Sequence, residues 1–386
     1  MRTEGAQNAK GRRNGRIDLL RFVFSLVIML HHSRYVLGDD SAVFIGGSLA
    51  VEFFFLVSGY LMAVSVEKAE KKGPMEHPGE ETWAFLKRKL SGFVPEFLFA
   101  WAIGFVFVAF AEKYTLLQAF RAFRDEIFEV LLLKMTGIYL RGIDGVVWYL
   151  SAMLLSMAVL YPLLRRHREV MERIVCPIAA LFILGYFCQA FGHPRNPTKW
   201  LGLVYKGLLR GFAEISLGVT IRAFVRHLAK RTPRTWLRIA AELFELLSLL
   251  YMVWYMASHL PSLQDYFFIL LLCLCLSLDF AGYGILTQAF EGDRALKITG
   301  LLAKYSGALF FSHLYFAQHL NSILSPDLYS GKLRLLLYIA LSLANGLLVC
   351  LLAGVYRKHE RQIHQSAQRL LFEKEPKAEP QDERDQ

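Results

Sequence analysis

RIDLLRFVFSLVIMLHHSRYVL, residues 16–37, and GGSLAVEFFFLVSGYLM, residues 46–62, decide how the rest of the chain is read. Each run is long and apolar enough to cross a bilayer. Yet Asp18, Arg21, His31, His32 and Glu52 lie inside or at the margin of the two runs. An ionisable group in a spanning helix costs on the order of 3 kcal/mol, so it is kept where it faces a bundle interior or a water-filled cavity. Arg21 and His32 are eleven residues apart. At about 100° and 1.5 Å per residue they return to within roughly 20° of one helix face, about 16 Å apart. One face of the first helix therefore carries a guanidinium near one end and an imidazole near the other.

Composition extends this reading to the whole chain. Of 386 residues, 55% are hydrophobic and 14% aromatic, and the mean hydropathy of +0.35 excludes an ordinary soluble domain. Ten apolar runs of spanning length lie near 17–37, 48–66, 93–112, 146–164, 174–191, 206–226, 239–258, 266–287, 299–320 and 334–356. The net charge of +11 raises the possibility of nucleic acid, but its distribution argues against that partner. Lys and Arg gather before the first run and after each even-numbered one. Roughly 25 basic residues fall on that side against about 9 on the other. The positive-inside rule then puts both termini in the cytoplasm. The expected fold is an all-α polytopic membrane bundle of about ten transmembrane helices, embedded in a lipid bilayer.

The first basic residues do not make residues 17–37 a signal peptide. No small-residue cleavage site follows, and His-His-Ser-Arg interrupts the end of the run. Residues 1–15 read as a basic, unstructured cytoplasmic segment, 16–357 as the membrane domain, and 358–386 as a tail that is first amphipathic and then unstructured. The five cysteines lie in or at the ends of apolar runs. Cys273 and Cys275 point in different directions on a helix, so neither a disulfide framework nor a metal site is expected.

Asp18-x-x-Arg21, ten further residues and His32, joined to the run from Gly46 to Tyr60, resemble the acyltransferase 3 family of integral membrane O-acyltransferases. The resemblance covers nearly the whole length. It implies an acyl-coenzyme A donor, acetyl-CoA first among them, and a hydroxyl of a cell-envelope or exported carbohydrate as acceptor. It also implies a plasma or inner membrane location. Residues 85–95, FLKRKLSGFVP, are similar to a basic segment that holds coenzyme A phosphates, which assigns Lys87, Arg88 and Lys89 to donor binding. Gly92 departs from that pattern where an arginine is usual, and an ordinary positive-inside anchor is the competing reading. Trp148-Tyr-Leu-Ser151 resembles a further family motif, although Met153 stands where an acid is common. The run ending at His313 is similar to a late helix of the family.

Taken as chemistry, acyl transfer to a hydroxyl needs a base and a held thioester. An imidazole suits the first role near neutral pH, which points to His32. Arg21 offers a fixed fork of donors for the donor substrate, and Glu52 could orient the His32 ring as the carboxylate of a triad does. His31, Ser58, Trp148 and His313 are candidates to line the acceptor site. Ser58 with Gly59 would equally serve close helix packing, and His313 could be a hydrogen-bonded packing residue. Arg210 and Glu214, one turn apart, read as a buried structural pair. Asp279 reads as a helix-end residue. Residues 116–133 read as an external amphipathic helix with Glu126 and Glu129 on its polar side. The competing function is a transporter or flippase with Arg21, His32, Glu52 and His313 along its path; no internal repeat supports it.

Overall fold

Asn14 starts the first helix: its side chain accepts from the backbone N–H groups of Arg16 and Ile17 at 2.9 and 3.1 Å, as an N-cap does. In the computed structural model the described residues are 13–138, 142–143 and 145–372, with side chains at all of these except 40, 364 and 366–372. Expectations about residues 1–12 and 373–386 lie outside the described residues.

Thirteen helices organise the described chain: α1 Gly15–His31, α2 Ala50–Glu70, α3 Pro78–Ser91, α4 Val94–Ala111, α5 Leu116–Asp125, α6 Val147–Arg166 and α7 Cys176–Phe191. They continue as α8 Lys206–Leu228, α9 Thr235–Ser258, α10 Gln264–Ala281, α11 Asp293–Ser312, α12 Leu314–Ile323 and α13 Gly331–Phe372. Shorter turns link them. Among the described residues the β content is a single bridge between Trp200 and Tyr205. Seven helical segments are long and apolar enough to cross a membrane: 47–70, 94–111, 147–166, 168–191, 235–258, 264–281 and 331–363. The other expected crossings are helices too, but α1 has 17 residues, and α8 and α11 carry several charges along their length.

Packing explains why those charged helices can lie inside. α8 runs between α2 and α6, where backbone meets backbone at two glycines. A Cβ added at Gly59 would fall 2.1 Å from the Ile215 carbonyl oxygen, and one at Gly218 would fall 2.2 Å from that of Leu56. Only small residues permit that approach, which maximises contact where lipid offers no hydrophobic drive. Gly59 is thus a packing residue.

We refer to the two ends of the bundle as the N face, at Asn14, and the H face, at His32. Ion pairs tie helix ends together at the N face. Arg16 meets Glu245 at 2.7 Å, Glu242 at 3.2 Å and Asp279 at 3.7 Å, while Arg222 and Arg226 converge on Glu67, and Arg226 reaches Glu172. Asp279 does stand near the end of α10, but it is a buried member of this cluster rather than a solvated cap.

Two expected spans are interrupted. The run 17–37 breaks at His32, whose N–H bonds back to Ile28 and Met29, before a short turn at Arg34–Leu37. The run 299–320 breaks at His313, between α11 and α12. There Ser312 Oγ takes the Ala308 carbonyl at 2.6 Å and His313 Nδ1 takes that of Leu309 at 3.1 Å. Side-chain bonds to carbonyls four residues back bend or end a helix. The amphipathic run 116–133 also divides, because α5 ends at Asp125 and Leu132 adopts a left-handed backbone, φ +59°. Glu126 and Glu129 consequently turn inward and are buried, with Glu129 accepting from the Ile143 N–H at 2.9 Å.

Candidate active site

The two helix breaks bring their histidines together. His32 Nδ1 lies 2.9 Å from His313 Nε2, with the rings 5.0 Å apart between centroids. Helix α1 delivers the first imidazole from its C-terminal end and the α11–α12 junction delivers the second. His313 is fully buried. His32, by contrast, lines a cavity of about 620 Å³ that opens on the H face. Tyr35 stacks over the His32 ring at 6.0 Å and 12°. His31, also lining this cavity, has its Nδ1 2.9 Å from the Phe44 carbonyl oxygen, which can only accept, so that nitrogen carries the proton.

Glu52 does not orient His32. Its carboxylate lies against Arg210, with Arg210 Nη2 donating to Glu52 Oε1 at 2.5 Å and Arg210 Nε donating to Glu214 Oε1 at 3.0 Å. The cause is desolvation: all three side chains are buried, and an unpaired carboxylate there would be costly. Arg210 still reaches the cavity wall, 5.6 Å over the Trp148 ring in a cation–π arrangement. Trp148 therefore lines the H-face cavity.

Below this cavity the polar path continues. Ser58 Oγ is 3.3 Å from Tyr149 Oη and 3.5 Å from Met153 Sδ, so Ser58 faces the α6 wall and not the cavity. Arg21 pairs with Asp18 at 3.6 Å and lies within electrostatic reach of Tyr149 and of Lys89.

Lys89 belongs to a second cavity, about 570 Å³, on the N face between α2, α3 and α6. Its cations are Lys68, Lys72, Arg88, Lys89 and Arg165. Arg165 Nε is occupied by Glu81 at 2.9 Å, a carboxylate that Tyr161 also reaches at 2.9 Å. The lysines and Arg88 are left facing the space. Burial, then the nearby Arg21 guanidinium, push the Lys89 ammonium down to about 8. Of the three basic residues expected to hold the donor, Arg88 and Lys89 line this cavity. Lys87 is exposed and outside it. The carbonyl of Gly92 accepts from Arg357 at 3.0 Å, so an arginine from α13 stands beside the position where the motif departs.

Sequence reasoning missed Lys68, Lys72 and Tyr149. The lysines had a signal, since they open the basic loop after α2, but nothing in their spacing shows that they face Arg88 across a cavity. Among the described residues no group of three or more His, Cys, Asp and Glu could hold a metal ion. The Acyl_transf_3 family, described as an acyltransferase domain, matches residues 14–355. No curated protein and no solved structure matches.

Proposed function

The chain belongs to the Acyl_transf_3 family and is a membrane acyltransferase, and from that premise we propose that it moves an acetyl group from acetyl-coenzyme A to a hydroxyl of a cell-envelope carbohydrate. The observation that carries this reading is the placing of Arg21 and His32 on one helix between two polar cavities, cationic at the N face and histidine-lined at the H face. In this reading the bundle crosses the plasma or inner membrane ten times. The N face and both termini are cytoplasmic, in keeping with the basic residues gathered there.

The donor enters at the N face. Lys68, Lys72, Arg88 and Lys89 meet its phosphates, which favour clustered cations and charge-assisted hydrogen bonds. Arg21 stands deeper, where its fork of N–H donors suits the phosphate nearest to it or a carbonyl of the donor's arm, about 16 Å short of His32. The acceptor sugar enters the H-face cavity, beside Trp148, Tyr35 and His31. His32 removes the proton from the acceptor hydroxyl, the hydroxyl oxygen bonds to the acyl carbon, and the carbon–sulfur bond breaks. The departing thiolate takes up the proton. Arg210, held by Glu52 and Glu214, forms part of the wall of the same cavity.

The test is transfer of label from acetyl-labelled coenzyme A into envelope carbohydrate by membranes containing the protein. Incorporation that disappears with Arg21→Ala supports the reading. Incorporation indifferent to the presence of the protein rejects it.

A further inference from the structure

We infer that His313 is a positioning residue that locks His32 in the tautomer with hydrogen on Nδ1 and a lone pair on Nε2 facing the H-face cavity. The inference rests on the proposed role of His32 as base, and it concerns how that base is made ready.

The Leu309 carbonyl oxygen can only accept, and His313 Nδ1 lies 3.1 Å from it, so the hydrogen of His313 resides on Nδ1. His313 is fully buried, among Phe310, Phe311 and Leu314, and a charged imidazolium without a carboxylate partner is costly in such a place. The ring is therefore neutral, which leaves its Nε2 as an acceptor. His32 Nδ1, 2.9 Å away, must donate to it. A neutral His32 then has its lone pair on Nε2. That nitrogen belongs to a ring lining the cavity.

The titratable and charged groups nearest the pair are His31 on the same helix and Arg34 and Tyr35 on the following turn, and the cavity that the His32 ring lines also presents Asp39, Lys134, His193, Arg195 and Arg210. The carboxylate among them, Asp39, is paired with Arg34 at 2.6 Å, so the triad's usual third member is replaced by a neutral histidine anchored on a carbonyl. This differs from a carboxylate in one respect. It fixes the tautomer and accepts from the imidazolium formed during transfer, but contributes no full negative charge.

The experiment compares wild type, His313→Gln and His313→Leu in acyl transfer across pH, with 15N NMR of labelled histidine, the His32 signals assigned by difference from His32→Gln. Glutamine retains an acceptor near the Nε2 position; leucine removes it. The expected wild-type His32 is protonated on Nδ1. His313→Leu is expected to lower kcat about 100-fold, as loss of an orienting partner does, with little change in KM. It should also move the acid limb of the rate profile down by about one pH unit, because the imidazolium loses an acceptor. His313→Gln should recover most of kcat and return the limb. A wild-type His32 protonated on Nε2, or a His313→Leu enzyme with unchanged kcat and acid limb, would overturn the inference. If the wild type transferred no acyl group, the proposed function would fall, and the NMR tautomer would still decide the inference.

Discussion

Glu52 and Arg210 meet through a bond of 2.5 Å, although 158 residues separate them and each stands on a different helix. Arg210 also holds Glu214 at 3.0 Å, so two buried carboxylates share one guanidinium. The cavity wall beside Trp148 is built on that sharing.

Removing one partner of a buried ion pair leaves the other uncompensated, at about 3–5 kcal/mol. Arg210→Leu, which strands two carboxylates, should lower thermal stability in detergent by at least that much. Glu214→Gln should cost far less, about 1 kcal/mol, because Glu52 remains to balance the charge. Scanning calorimetry or fluorimetry separates these outcomes. Equal losses for the two variants would mean that Arg210 does not serve both acids.

Donor affinity should depend on pH through Lys89. Its ammonium, pushed down to about 8, is present below that pH and lost as pH rises through it. Below pH 7 the N-face cavity is therefore at its most cationic. KM for acetyl-coenzyme A should rise about threefold to tenfold between pH 7 and pH 9, the range for losing one charge-assisted contact. In Lys89→Arg, whose charge persists, the rise should flatten. A wild type and variant with the same KM profile would remove Lys89 from the donor site.

The α2–α8 contact gives a sharper stability test than any surface position. A side chain at Gly59 must displace the Ile215 backbone. Gly59→Val should cost about 1–3 kcal/mol or more and impair assembly of the bundle. Gly185, with open space around its Cα, is the control: Gly185→Ala should fold as wild type does. Similar yields of folded protein from both would contradict the close approach.

Much of this architecture is legible in residues 16–62, because a charged helix face inside an apolar run has few places to go. Arg21 and His32 can be put on one face from their spacing, and the alternating basic loops order the ten apolar runs. The helix breaks are another matter. Apolar residues continue past both His32 and His313, and the interruption depends on side chains taking backbone carbonyls, which periodicity does not record. Glu52 illustrates a second limit. An acid near a histidine in sequence suggests a triad, but its partner is chosen by burial beside Arg210. Glu242 and Glu245 were hidden in an apolar run for the same reason, their counter-charge Arg16 lying at the start of the chain.

The central claim is that His32 performs acyl transfer, and the purified protein in detergent tests it most directly. Acetyl-labelled coenzyme A is supplied to wild type and His32→Ala in parallel, with folding of both verified, and label leaving the thioester is counted. Wild type should release or transfer label, and His32→Ala should do so at about one-hundredth of that rate or less. Equal rates in the two proteins would contradict the account and move the base elsewhere in the bundle.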